Sequence, residues 1–567
     1  MIGEPEVRFT EQAMANRRPA LWRRLAARPW LLAGIALLPI YGAYLAHFLG
    51  APDGFLATGF LQYDQLSYMA NAREHLDGGF RLLYGLPFSP NYDTPEIYFQ
   101  PQTLFLGLVL KLTGLDPGLI YVVFGLVAAL VFFRIAIALY AEVVGLASRS
   151  QFLVLLLFLW GGGLNALAAL ALKLALGTQN AISAIDPFEG YWFFDLGRNA
   201  FMSVEAYYHA LFLAAILLLV RRSYGGALVL MAVLSASHPF TGLELLAVVF
   251  AWTFYERLVR RRETPPIWFV IGTAILLNLH VGYYLVLLPR LSPEHASLNG
   301  QWTLSWKLGL HNIIIDYGLV GLAALWRLRN RQQIARAFAD RSFGILTNWF
   351  AVAFLLANHE LFMAPRQPLH FTRGYIWTPL FLMGAPTLLG IVERLLLMPV
   401  RIGRAALALL ISVSLLDNAA WFDLFYVKSF MNLPFKDPPV LISKGERDVL
   451  RELNAATFDG GVILSDDSTL GYLATVYTPL RAWHSHRLST PYADQRWLEL
   501  YALFHEGRDL DEWRHRKTIV VLKKQSDPAA APILLSLGYH TAYENSEFLV
   551  FIRESAPLAG TTTAPRS

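Results

Sequence analysis

The chain has no cysteine, and only 16% of its 567 residues are charged. The first absence excludes disulfides, zinc–thiolate sites, iron–sulfur clusters and cysteine nucleophiles. The second sets the chain apart from soluble globular proteins, in which about a quarter of the residues carry charge. With 55% hydrophobic side chains and a mean hydropathy of +0.41, a cytosolic enzyme, a disordered chain and a fibrous repeat are excluded as well. No internal inverted repeat is visible. What the sequence has in abundance is apolar runs, most of them long enough to cross a hydrocarbon core of about 30 Å. The fold class is an all-α polytopic membrane protein with a small C-terminal α/β domain.

The runs lie at about 30–50, 117–142, 152–174, 205–220, 225–237, 241–257, 266–288, 309–326, 344–362, 375–395 and 403–418. Arg17, Arg18, Arg23, Arg24 and Arg28 precede the first run, which reads as an uncleaved span entered from a cytoplasmic N-terminus. A shorter run, Gln100 to Gly114, decides the rest. If it spans, Arg221/Arg222, Arg260/Arg261/Arg262, Arg327/Arg329/Arg331 and Arg394/Arg401/Arg404 all fall outside. If it dips in and returns, all fall inside, as the positive-inside rule requires. The expectation is about 11 transmembrane helices, N-terminus in and C-terminus out. Residues 1–29 form a basic cytoplasmic segment, 30–426 the transmembrane part with an exoplasmic loop at 51–116, 427–555 an exoplasmic α/β domain, and 556–567 a disordered tail. The α/β reading comes from short apolar strands at 461–467 and 517–523 and a helical stretch at 443–454. The absence of an organelle signal points to a bacterial inner membrane, with the site on the periplasmic face.

Polar groups gather in the loops of that face. The first loop carries Tyr63, Asp64, Tyr68, Asn71 and Glu74, with Asp64 opening an amphipathic interfacial helix; its bland role would be an N-cap. Glu205 and His209, four residues apart at the mouth of a span, share one helix face; they order an acceptor, bind a cation or merely stabilise the helix. His238 sits beside Pro239 and Gly242, which break a helix near membrane depth. Such breaks are tolerated where protein or a cavity satisfies the freed backbone, so His238 either lines a site or closes a tight hairpin. The loop 358–375 holds His359, Arg366, His370 and Arg373. Arg373 abuts the next span, where a lipid phosphate would lie; a guanidinium grips phosphate through two hydrogen bonds, the alternative being a headgroup anchor. Arg134, Glu244 and Asp316 are taken as structural. The segment Trp483-His484-Ser485-His486-Arg487 follows an apolar stretch and reads as a surface loop, the alternative being that it caps the cavity from above or touches the acceptor.

A carboxylate just above the first span, a long loop with an interfacial helix, and the Pro-led segment Phe99-Gln-Pro-Gln-Thr-Leu-Phe-Leu-Gly-Leu-Val-Leu-Lys-Leu-Thr-Gly-Leu-Asp-Pro before the second form a pattern. It resembles the GT-C superfamily of integral-membrane glycosyltransferases, with a topology similar to aminoarabinose transferase and the protein O-mannosyltransferases. The resemblance implies a polyprenyl-phosphate-linked sugar as donor, a lipid, glycan or protein as acceptor, and membrane lipids but no nucleic acid among the partners. It implies Asp64 as catalytic base and Glu205 as the second acidic group, with Asp186 as alternative. Tyr68, His209, His238, His370 and Arg373 are then substrate-binding candidates. A divalent cation, Mg or Mn, would draw on Asp64, Glu205 and His209. Direct displacement by a base-activated acceptor inverts the anomeric centre and needs no covalent intermediate. The competing class is a transporter or flippase, which commonly shows internal repeats and midplane sites.

Overall fold

The computed structural model describes residues 21–77, 79–177, 194–261, 264–305, 309–431, 440–525 and 529–554. Each apolar run is helical. Among the described residues five helices are long and apolar enough to cross a membrane: Pro117–Val143, Ser203–Val220, Ile267–Leu291, Trp377–Leu397 and Val400–Asp423. Two bent pairs bring the number to seven, Pro29–Ala36 with Leu38–Leu49 (49°) and Arg149–Trp160 with Asn165–Leu176 (66°). The first bend falls at Leu37, where Pro39 removes an amide donor and its ring crowds the preceding turn. The second falls at Gly161-Gly162-Gly163, so the run at 152–174 is a broken helix rather than a straight one. Shorter apolar helices cover Tyr224–Ser237, Ile313–Trp326 and Arg341–Ala357.

The segment that decides the topology is built by close backbone approaches. After β1 (Phe55–Ala57) the chain passes over the start of the second long helix, where a Cβ on Gly118 would lie 1.7 Å from the Thr58 carbonyl oxygen. Gly59 meets the same crossing from the other side, with φ +78° and its own ideal Cβ 2.9 Å from the Gly118 oxygen. Helix α1 (Gln65–Glu74) and helix α2 (Pro101–Thr113) pack so tightly that a Cβ on Gly107 would lie 2.4 Å from the Ala72 oxygen. Gly114 ends α2 in the left-handed region, and Asp116 caps α3 (Pro117–Val143) through the amides of Gly118 and Leu119. The chain thus leaves the first bent pair and enters α3 at the same end of the bundle. Helix α2 lies between them along the chain and packs on α1.

Helices α4 (Ser203–Val220) and α5 (Pro239–Tyr255) follow. Behind α4 a knot of buried charges holds the broken helix: Asp417 accepts from the amides of Asn165 and Ala166, at 3.2 and 2.6 Å. Arg198 Nη2 lies 3.0 Å from Asp195 and 3.8 Å from Asp417. Asp316 is bonded by the Asn165 amide, and Arg134 lies over the Trp30 ring at 5.8 Å. Glu244, fully buried on α5, has no hydrogen-bond partner on either oxygen among the described residues.

The last apolar helix runs on to Met431, and the C-terminal part is described from residue 440. β2 (Leu441–Ser443) pairs antiparallel with β1 of the first loop, Phe55 opposite Ser443. A five-stranded sheet follows in the order β4-β3-β5-β7-β6: β3 (Val462–Ser465), β4 (Arg481–Ala482), β5 (Thr518–Lys523), β6 (His540–Glu544) and β7 (Phe548–Arg553). β3 is parallel to β4 and β5, and β7 is antiparallel to both neighbours. Period-2 alternation makes the sheet two-faced. Ile463, Ile519, Val521, Phe548, Val550 and Ile552 join the core shared with the helical bundle, whereas Val462, Leu464, Val520, Leu522 and Phe551 pack into a separate cluster with Leu500, Leu503 and Trp513. Helix α6 (Ser468–Tyr477) lies against α1. Arg481, buried, pairs with Glu74 of α1 at 2.8 Å and stacks on Tyr92, so the domain is seated on the first loop by packing and by charge.

The backbone crossing yields a test. Gly118→Ala drives a methyl group into a carbonyl of another segment and costs about 3 kcal/mol, the upper part of the overpacking range. Gly225→Ala, with nothing within 4 Å, gains up to about 1 kcal/mol as a helix substitution. Thermal unfolding of the two variants in detergent should move in opposite directions.

Candidate active site

Asp64 precedes α1 with helical backbone angles (φ −71°, ψ −14°) and makes no side-chain cap bond. The capping role is therefore not the one its carboxyl fills. Oδ1 lies 2.9 Å from His486 Nε2 and Oδ2 accepts from Gln62 Nε2 at 3.3 Å. The side chain is 42% exposed, which leaves it open to an incoming group. Burial pushes its pKa up, but the hydrogen bond from His486, the Gln62 amide and the Arg373 guanidinium outweigh that and hold it below the usual carboxylate value. Asp64 is a carboxylate at neutral pH.

One turn along α1, Tyr68 sits between two acids. Burial raises its phenol pKa above the usual value, the negative charges of Glu205 and Asp64 raise it further, and Arg373 opposes them. Tyr68 keeps its proton and can serve as a donor. Glu205, in the first turn of α4, is 1% exposed and forms an ion pair with Arg373. Burial works against the charge of Arg373, and Glu205 more than restores it.

His209 does something the helix spacing does not reveal. Its Nδ1 faces the Glu205 carbonyl and its Nε2 the Arg373 carbonyl, each at 2.8 Å, while its ring stacks on Tyr375 at 4.5 Å. It ties the Arg373 turn to α4, with Gly374 at φ +71° letting the turn pass close to Asn199 and His209. A neutral ring carries one N–H and donates to one of these two carbonyls, and the Tyr375 hydroxyl lies 3.4 Å from Nδ1. Glu205 is engaged by Arg373, and among the described residues no three His, Asp or Glu side chains gather as a metal set.

His238 caps α5, its Nδ1 accepting from the Thr241 amide at 3.2 Å, and its ring stacks on Tyr208 at 4.5 Å. The hairpin-closing role is thus the one its Nδ1 fills. His370 lies beside it, ring centroids 5.8 Å apart, stacked on Phe240 and bonded through Nε2 to Gln367. Asp186 lies outside the described residues. The candidates from the first loop, the start of α4, the α5 turn and the 358–375 loop converge at the same end of the bundle, beneath the C-terminal domain.

One partner comes from where the sequence reading placed a surface loop. His486 is 3% exposed and not at the surface; it reaches Asp64 from the segment after β4. Tyr63 brackets it at 4.4 Å and Tyr472 meets it edge-on at 5.2 Å. The only sequence signal was two histidines amid aromatics, and nothing local pointed to residue 64.

An ionised, half-buried carboxylate, a guanidinium paired with Glu205 and a phenol that keeps its proton thus lie together at one end of a helical bundle. No family model and no curated protein sequence matches the chain. Among solved structures, it is similar to the oligosaccharyltransferase of Archaeoglobus fulgidus tethered to an acceptor peptide, at 12% identity over 91% of this chain and 74% of that one, TM-score 0.45. The apo form of that enzyme gives 11% identity over 86% and 69%, TM-score 0.46. Its complex with an inhibitory peptide and a dolichol-phosphate gives 11% over the same shares, TM-score 0.39. Likenesses of this degree carry no argument about activity, which rests on the residues of this chain.

The depressed pKa of Asp64 has a measurable sign. A carboxyl whose folded value lies below its unfolded value, about 4, stabilises the fold above that value and loses the contribution as the pH falls through the folded one. The gap in thermal midpoint between the protein and Asp64→Asn should be constant from pH 8 to pH 5 and close below about pH 4.

Proposed function

We propose that the chain is a membrane glycosyltransferase of the GT-C kind, moving a sugar from a polyprenyl-phosphate-linked donor to a lipid, glycan or protein acceptor by inverting displacement. The observation that carries this reading is the presence at one end of the bundle of a half-buried carboxylate, Asp64, held by His486, and a guanidinium, Arg373, near enough to act on its charge. Displacing a lipid phosphate from an anomeric carbon needs both: a base for the acceptor proton and a cation for the departing phosphate. Asp64 is the base. Arg373, oriented by Glu205 and by the His209 tie, holds the phosphate, with His238 and His370 along the same side and Tyr68 donating between the two centres.

In this reading the chain has 11 spans, N-terminus in and C-terminus out, with the site on the exoplasmic, periplasmic face of a bacterial inner membrane and the α/β domain above it. The arginine clusters support the sidedness. The crossing of Thr58 over Gly118 supports the count, because a segment 100–114 that returned to the side it left would let Asp64, Glu205, His238, Arg373 and the C-terminal part share one end. A second reading, a transporter or flippase of a lipid-linked or polar substrate, draws on the helix broken at Gly161–Gly163 and the charges of Arg198, Asp195 and Asp417 around it.

The test is release of polyprenyl phosphate from polyprenyl-phosphate-linked hexoses and pentoses by the protein in lipid discs, with extracted envelope glycolipids as acceptor. Asp64→Asn should lower the release rate by about 100-fold or more, the scale of general-base catalysis. Donor binding without release, together with transbilayer movement in liposomes that Asp417→Asn abolishes, would favour the second reading. No donor binding at all would overturn the first.

A further inference from the structure

Asp64 belongs to the first loop, yet the group that fixes its carboxyl belongs to the C-terminal domain, 422 residues along the chain. The direction of that hydrogen bond follows from the other face of the ring. The Leu488 backbone N–H donates to His486 Nδ1 at 3.1 Å, so Nδ1 is an acceptor and the hydrogen of the neutral imidazole sits on Nε2. Nε2–H then donates to Asp64 Oδ1. The ring has little freedom to leave this position. Tyr63 lies against it, Tyr472 meets it at right angles, and the Tyr472 hydroxyl donates to the Tyr63 carbonyl at 3.0 Å. The amides of Ser489 and Thr490 donate to the His486 carbonyl, closing the turn that carries the ring.

We propose that His486 is the positioning residue of the active site: held in one tautomer by Leu488, it fixes Asp64 Oδ1 and leaves Oδ2 to take the acceptor proton. The proposal rests on the glycosyltransferase reading and deepens it. The order of groups is the reverse of a serine-hydrolase triad, where a carboxylate orients an imidazole base. Here the imidazole has its proton on Nε2 and its lone pair on Nδ1 engaged, so it orients and the carboxylate abstracts. In the step, the acceptor O–H or N–H proton passes to Asp64 Oδ2 as the acceptor atom bonds the anomeric carbon. The carbon–oxygen bond to the phosphate breaks with its electron pair, and polyprenyl phosphate leaves as the anion. A carboxylate at 42% exposure would otherwise swing between rotamers, and a misplacement of about 1 Å is enough to cost roughly 100-fold in rate. The C-terminal domain therefore completes the site rather than only covering it.

Three substitutions in the full-length protein test this, using the donor that gives Asp64-dependent release. His486→Phe fills the slot without a donor, His486→Gln keeps an N–H within reach of Oδ1, and His486→Asn keeps the amide but is too short to reach. Expected are kcat values lowered about 10- to 100-fold in Phe and Asn, recovery in Gln to within a few-fold of wild type, and an unchanged KM for the donor, whose phosphate is held elsewhere. If Phe fails to fold, the Gln–Asn contrast decides alone. Wild-type kcat in Phe or Asn while Asp64→Asn is inactive would overturn the positioning role and leave the base intact; equal loss in Gln and Asn would also overturn it. Wild-type activity in Asp64→Asn would instead bring down the glycosyltransferase reading.

Discussion

A carboxylate and a guanidinium buried at the end of an apolar helical bundle persist only as a pair, because either one alone would carry an uncompensated charge costing several kcal/mol. Glu205 and Arg373 are that pair, and much of the site's geometry is arranged around holding them together. Gly374 permits the turn that brings Arg373 inward, and the His209 ring sits between the carbonyls of that turn and of α4, its N–H donating to one of them. The guanidinium then adds a smaller share to the lowering of the Asp64 pKa that the His486 and Gln62 hydrogen bonds bring about against burial. A loop residue, a helix terminus and a residue of the first loop are coupled through one buried ion pair.

The C-terminal domain owes its place to a similar economy of burial. Its central strands present one set of alternating side chains to the bundle core and the other to the domain's own helices, while the edge strand β6 is largely exposed. Along the seam, Arg481 meets Glu74, Tyr472 bonds the Tyr63 carbonyl, and β2 adds to β1. Each contact falls on the first loop, within about ten residues of Asp64 in sequence or a few more. A domain anchored there sets the conformation of the loop that carries the proposed base.

The broken helix shows the same logic deeper in the bundle. Three glycines free backbone groups that a membrane interior cannot solvate, and Asp417 satisfies two of the amides directly while Arg198 faces both Asp195 and Asp417. Gly162 and Gly163 have no room for a Cβ against these carboxylates. The break and the charges are one feature: the charges cap what the break exposes, and the break makes room for the charges.

By itself the sequence determined the helices, since an apolar run of sufficient length admits little else in a bilayer. It also determined the α/β character after residue 440, through short β-branched strands. The alternation of the runs put Asp64, Tyr68, Glu205, His209, His238, His370 and Arg373 at one end, and for this reason all of them are found together. Only the tertiary structure decided what each of them bonds. His209 reads as a ligand or helix partner from its spacing, and packing makes it a tie between two carbonyls. Asp64 reads as an N-cap, and His486 claims its carboxyl instead. The run at 152–174 reads as one helix, and the glycines break it because Asp417, far along the chain, is there to cap the second half. Hydrophobic periodicity is local and survives in any short window of sequence, whereas the partner of a polar side chain is set by which distant segment packs beside it.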